Sequence, residues 1–311
     1  MFQAPIHVFS GTADKDNRCC VVVKNARYLM NAGGFQIGHW GFLLTNIFAK
    51  LDVIGHFPKA CELILTDSVA SRHRLKQVKE IAKHSTYLHT SLAVVENMTG
   101  TLFQISDQIP KCSASAFINA DALKIPKRWL NLRGYRAPDE AARDVLKCNE
   151  TATEDILIYN RRGTRAIVNH EEVVEYIKKL GLSAKVLFPE QLAPEEQICE
   201  MVKNRSLIVT PHGGQQGSFF FKRAGVAVAV VSPEAHLLEY YRFFARENDL
   251  WYHIRGNRSW PCVGNFCADS DGAWGNDGLC ELKCERQARG HSITLSFSAL
   301  HEVLAGIGLD S

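Results

Sequence analysis

No run of about 18 consecutive apolar residues occurs in the 311-residue chain, so no membrane span is expected. The opening Met1-Phe-Gln-Ala-Pro-Ile-His7 has neither a basic segment nor an apolar one, which predicts no cleavable signal peptide. Charge of one sign is also in short supply. A net charge of +3 is too mild to argue for nucleic acid as a partner, while a local basic patch facing a small anion remains compatible with it. No Walker loop, no strand-to-helix G-x-G-x-x-G, no G-x-S-x-G elbow and no H-E-x-x-H is present, which argues against several enzyme classes. Cysteine is not scarce, but the ten cysteines are irregularly spaced. They read most simply as free thiols in a cytoplasmic protein, with a lumenal enzyme lacking its anchor as the alternative. Four N-x-S/T sequons, at Asn97, Asn149, Asn204 and Asn257, have meaning only if the chain is secreted.

What is present is a globular composition, 46% apolar and 22% charged, in a chain long enough for two domains with substantial cores. The boundary falls near residue 150: an N-terminal domain over 1–150 and a C-terminal one over 151–311. In the first, Val21–Lys24, Glu62–Asp67, Ser91–Val95 and Ser115–Ile118 read as strands. Phe42–Ile54 and Ser71–His84 read as helices, and a glycine-rich loop runs from Asn31 to Gly41. Around Pro126–Pro138 the pattern breaks into basic and aromatic residues (Lys124, Lys127, Arg128, Arg133, Arg136), which suits a solvated interdomain segment. Asp139 is expected to cap a helix through Leu146.

The second half is more regular. Ile156–Tyr159, Lys185–Phe188, Leu207–Thr210, Val226–Val231 and Leu250–Ile254 read as strands. Between them lie helical patterns. Asn169 with Glu172 predicts a capping box before Val173, Val174, Ile177 and Leu180, and Gly181 ends that helix. Pro194 opens the next, with Ile198, Met201 and Val202 inward. Gln216–Arg223 and the stripe Leu237, Tyr240, Tyr241, Phe244 supply two more. Five strands alternating with four helices predict a doubly wound parallel sheet, which binds ligands beyond the carboxyl ends of its strands. An Asn/Asp/Gly/Cys-rich excursion covers 256–290. An amphipathic tail helix, Thr294–Ile307, is expected to return to the domain junction.

The segment that focuses this pattern is Thr210-Pro-His-Gly-Gly-Gln215, where an apolar strand stops and a helix can begin. A helix start offers unpaired N–H groups and partial positive charge, and glycine lets a ligand approach the backbone. An anionic ligand, a diphosphate first of all, is therefore expected at His212, Gly213, Gly214 and Gln215. Arg161 and Arg162, within the cluster Arg161-Arg-Gly-Thr-Arg165, follow another strand directly, and guanidinium forks match phosphate oxygens. His39, beside Trp40 in the glycine-rich loop, and Asp67, at a strand end, are rivals for a general base. Cys262, Cys267, Cys280 and Cys284, spaced C-x4-C-x12-C-x3-C, leave zinc, two local disulfides and free thiols all open. Asp269-Ser-Asp271 lies among Asn, Asp and Gly, where Asx turns account for it, so no metal site is expected.

Together these residues resemble the nucleotide-binding half of family 61 glycosyltransferases, the plant xylosyltransferases and animal O-linked N-acetylglucosaminyltransferases of the secretory pathway. The resemblance rests on Tyr159-Asn-Arg-Arg162, Asn169, Glu190-Gln191, Glu196-Gln-Ile198, Ile208-Val-Thr-Pro-His-Gly-Gly214, Ser218-Phe-Phe-Phe221, Ser232-Pro233 and the aromatic run Tyr240–Tyr252. Gly38-His39-Trp40 resembles the His-Trp of the family's first domain. The resemblance implies a GT-B architecture, two Rossmann-like doubly wound α/β domains facing a cleft. It further implies inverting, metal-independent transfer from a nucleotide-sugar co-substrate, with no other cofactor. Arg162 and His212 would hold the donor diphosphate with the Gly213 and Gly214 amides. The family's Glu about three residues before Pro233 is Val230 here, and Glu234 is the nearest replacement. The expected activity is transfer of xylose or N-acetylglucosamine from a UDP-sugar to a glycan or glycoprotein acceptor. The alternatives are a GDP-fucose-type transferase and a non-catalytic sugar- or nucleotide-binding module.

Overall fold

The computed structural model describes residues 7–10, 19–24, 61–65, 86–99, 103–105, 114–119, 136–232, 245–246, 249–256 and 292–309. The expected helices over Phe42–Ile54, Ser71–His84 and Leu237–Phe244 lie outside the described residues, as do the Asn31–Gly41 loop and the cysteines of the 256–290 excursion. The chain divides into two compact units. One comprises Met1–Asn149, Ala193–Val202 and Gly217–Lys222; the other comprises Glu150–Leu192, Lys203–Gln216 and Arg223–Ser311.

In the first unit, strands β1 (His7–Ser10), β2 (Cys19–Lys24), β3 (Cys61–Leu65), β4 (Phe103–Ile105) and β5 (Ala114–Asn119) form a sheet in the order β1-β5-β2-β3-β4. β2 to β5 run parallel, and β1 closes the edge antiparallel to β5. Helix α1 (Thr86–Thr99) takes the place of the strand expected over Ser91–Val95. The β-branched valines suggested a strand, but the buried residues Ser91, Val94, Val95 and Met98 follow the 3.6-residue period of one helix face. Helix α2 (Pro138–Leu146) starts with Pro138, whose missing N–H costs nothing in the first turn. Asp139 is therefore inside the first turn rather than the cap; Ala137 holds that position without a side-chain bond. Arg136 pairs with Asp144 and donates to Asn97 Oδ1 at 3.1 Å, so this one of the basic residues is engaged with α1 and α2.

Helix α4 (Pro194–Val202) packs with α1 and α2. Thr90 Oγ1 donates to Glu195 Oε1 at 2.8 Å. A disulfide joins Cys148, just past α2, to Cys199 within α4, with the Cα atoms 5.2 Å apart. Free thiols are thus the wrong expectation for these two cysteines: the helix packing brings them within bonding range, which their 51-residue separation conceals. By loop-closure entropy a bridge of that span is worth about 4 kcal/mol.

In the second unit, β6 (Ile156–Tyr159), β7 (Ala184–Leu187), β8 (Leu207–Pro211), β9 (Ala227–Ser232) and β10 (Trp251–Arg255) form an all-parallel sheet in the order β10-β9-β8-β6-β7. β6, β8 and β9 are buried along their whole length, which explains their unbroken apolar sequences. Ile156, Ile158, Leu207 and Val209 share one core with Val173 and Ile177 of α3 (His170–Lys179) and Leu300, Val303 and Leu304 of α5 (Phe297–Gly306). Burying each such side chain contributes about 1.5–3 kcal/mol. Tyr176 of α3 stacks on Phe297 of α5, with ring centroids 4.9 Å apart. α3 ends as expected at Gly181 (φ +76°): Gly181 N donates to Lys178 O and Leu182 N to Ile177 O, which satisfies the last carbonyls.

The capping box is not formed. Asn169 occupies the N-cap position, but its side chain exchanges two bonds with the Leu295 backbone, Nδ2 to O at 3.0 Å and N to Oδ1 at 2.9 Å. A carboxamide presents a donor and an acceptor side by side, as a peptide does, and so satisfies a buried backbone segment that a cap could not. The expected helix over Gln216–Arg223 is a 3-10 helix, Gly214–Phe221. No described helix is long and apolar enough to cross a membrane.

Candidate active site

The strand order selects one point on the carboxyl edge of the second sheet. From β6 the chain crosses to β7 on one side, then returns past β6 to β8 on the other. The connections after β6 and β8 therefore diverge, and a crevice opens between them, the usual ligand seat of such sheets. Arg161 and Arg162 follow β6, and His212 to Gln215 follow β8. Where the two strands part, Thr210 Oγ1 donates to Tyr159 O at 3.0 Å, supplying a partner at the end of the ladder.

The loop after β6 is pinned at both ends. Fully buried Asn160 bonds the Ile167 backbone twice at 2.9 Å, through Nδ2 to O and Oδ1 to N. The C-terminal segment then pairs with the loop through a parallel bridge between Ile167 and Ile293. Val168 N donates to Ile293 O and Ile293 N to Ala166 O. Arg161 through Ala166 are thereby held as a closed loop. Sequence reasoning quoted Asn160 only as part of a motif. An Asn placed directly after an apolar strand, seven residues before the next buried aliphatic, is the signal that would have found its role.

The two arginines diverge. Arg161 is half-buried and lies against the turn after β8: a Cβ placed on Gly213 would sit 2.8 Å from Arg161 Nη1, and closer still to Gln215 Oε1. A side chain there would push aside the ends of Arg161 and Gln215. Among the described residues Arg161 makes no hydrogen bond and no ion pair, and its Nε is buried without a partner. Arg162 is exposed and stands over the Phe188 ring, 5.5 Å from its centroid, on the β7 side. Its backbone N donates to Glu190 Oε1 at 3.4 Å. The resemblance gave Arg162 the leading part; the structure puts Arg161 beside the glycine turn.

In that turn His212 is buried, 5% exposed, and its backbone N donates to Val231 O at 2.8 Å. Gln215 and Gln216 both direct Nε2 to Pro211 O, at 2.6 and 3.3 Å, and Gln216 N donates to Gly213 O. These bonds occupy the inner carbonyl. The Gly213 and Gly214 amides make no hydrogen bond within the described residues. Gln216 Oε1, in the 3-10 helix, and Ser232 Oγ, at the end of β9, are buried without partners among the described residues. His39, Asp67 and Glu234 lie outside the described residues. No group of three or more His, Cys, Asp or Glu that could hold a metal occurs among the described residues.

A guanidinium and two amides without partners among the described residues thus stand at the switch point of a parallel sheet in an α/β protein. The family model for glycosyltransferase 61 matches residues 38–229, and the chain belongs to that family. It is a glycosyltransferase with a mixed α/β fold. No curated protein matches the chain in a whole-sequence comparison.

Proposed function

We propose that the protein is an inverting glycosyltransferase of GT-B architecture, whose second unit binds a UDP-sugar and whose first unit binds the glycan or glycoprotein acceptor. The observation that carries the reading is Arg161: a half-buried cation with no partner among the described residues, close against the Gly213 turn. An acceptor oxygen forms the bond to the anomeric carbon while the bond to the donor's diphosphate oxygen breaks. The proton goes to His39 or Asp67, and the electron pair stays on the diphosphate. Arg161 and the Gly213 and Gly214 amides face the charge that builds there, with Arg162 and His212 beside them. Charge neutralisation by the protein's own guanidinium makes a metal unnecessary in this reading. Glu234 is assigned to the nucleoside and Gln215 to shaping the turn. Xylose and N-acetylglucosamine are the sugars favoured by the family resemblance.

The test is a donor panel read by thermal shift and by transfer, with and without EDTA. A ligand at about 100 times its Kd adds about 2.7 kcal/mol of stability. UDP and a UDP-sugar are expected to raise Tm in the wild type and to lose most of that shift in Arg161→Ala. An equal shift in the variant would remove Arg161 from the site. A response to GDP alone moves the donor class, binding without transfer makes the protein a binding module, and loss of activity in EDTA makes the reaction metal-dependent.

A further inference from the structure

We propose that Asn97, Asn149 and Asn204 carry N-linked glycans, added in the same oxidising compartment in which Cys148 and Cys199 become joined. Sequons alone decide nothing, because they occur by chance in proteins that never meet the modifying machinery. The disulfide supplies the second condition: such bonds persist in the secretory lumen and outside the cell, whereas cytosolic thiols are kept reduced.

Exposure supplies the third. All three asparagines are exposed, whereas Asn160 and Asn169, whose side chains are spent on the Ile167 and Leu295 backbones, belong to no sequon. Asn97-Met-Thr99 forms the last residues of α1. Arg136 donates to Asn97 Oδ1, which leaves Nδ2, the atom that would carry the sugar, without a bond. Asn204-Arg-Ser206 lies between α4 and β8. Its backbone N donates to Glu150 O at 2.8 Å, and its side chain makes no hydrogen bond among the described residues. Asn149-Glu-Thr151 follows Cys148 directly. Asn204 precedes β8 and so belongs to the amino edge of the second sheet, where a glycan leaves the carboxyl-edge crevice open.

Chemically, Asn Nδ2 bonds to the anomeric carbon of an oligosaccharide carried on a lipid diphosphate. The bond from that carbon to the diphosphate oxygen breaks, the lipid diphosphate leaves, and Nδ2 loses one proton. Both substrate and enzyme belong to the secretory machinery of the cell. The inference does not depend on which sugar the protein itself transfers.

The experiment is peptide mapping of the full-length protein purified from cells that produce it, with free thiols alkylated before digestion. N-glycans are removed enzymatically in heavy-oxygen water, which leaves a labelled Asp at each occupied site. Labelled Asp at 97, 149 and 204, together with a linked Cys148–Cys199 peptide pair, is the expected result. Asn97→Gln, Asn149→Gln and Asn204→Gln should each remove one step of the gel shift. Unlabelled asparagine at all three positions overturns the proposal, whether or not the disulfide is present, and an unlabelled residue at any one position withdraws that site.

Discussion

The two edges of the second sheet are built on opposite terms. Because all five strands run parallel, their amino ends share one edge and their carboxyl ends the other. At the amino edge the charges named here are matched. Arg205 lies 3.5 Å from Glu154 with both side chains buried, and Arg223 donates to Glu150 at 2.7 Å. Asp155 accepts from the backbone N and hydroxyl of Ser183, and Asp249 from the Gly225 and Arg246 amides. At the carboxyl edge Arg161 has no partner among the described residues, and Gln216 Oε1 and Ser232 Oγ are buried without one there. At one edge charge meets opposite charge within the chain, although the facing atoms of Arg205 and Glu154 form no hydrogen bond; at the other, Arg161 faces no opposite charge among the described residues.

The contrast can be broken most sharply at the amino edge. Glu154→Ala removes the carboxylate that faces the buried Arg205, and urea unfolding should show a loss of about 3–5 kcal/mol. Arg161→Ala should do the reverse. Transfer falls about 10²–10³-fold, or about 2.7–4 kcal/mol of transition-state stabilisation, while Tm without ligand is unchanged or rises. Arg162→Ala, tested beside it, is expected to cost less, because its guanidinium stands over Phe188 rather than the turn. If the two variants lose activity equally, the distinction between the arginines fails. Gly213→Ala should weaken UDP binding about tenfold with little loss of stability. Its new methyl group displaces the ends of two flexible side chains, Arg161 and Gln215, rather than backbone. Isothermal titration reads that change directly.

The smallest effect is electrostatic. The Ser183 hydroxyl bond, then the Ser183 backbone bond, hold the Asp155 carboxyl below its ordinary value of 3.8. A depressed folded-state pKa means the contribution is present above the unfolded value and lost as pH falls through the folded one. The stability gap between wild type and Asp155→Asn should therefore be open at neutral pH and close on acidification below about pH 4. A gap that does not change with pH would show that the Ser183 bonds do not depend on the carboxylate's charge.

Much of the second sheet was legible in advance because its inner strands β6, β8 and β9 are buried along their whole length and so read as apolar runs between turn residues. Gly181 and Pro194 bounded their helices by constraints that act within a few residues. The misreadings share a cause. The Ser91–Val95 stretch has strand-like composition, yet it is held in a helix whose buried face meets α2 and α4. Asn169 has the local chemistry of a cap, yet its side chain answers a backbone segment 126 residues away. Cys148 and Cys199 gave no spacing signal, because their meeting depends on how two helices pack.

The site divides along the same line. Strand ends, the glycine turn and the adjacent arginines are local features, so the sequence alone determined which residues stand at the carboxyl edge. Which strand ends adjoin, and which arginine leans toward the turn, were decided only by the tertiary structure. Strand order is fixed by long-range pairing, and the direction of Arg161 by the space that Gly213 leaves open once β6 and β8 lie side by side.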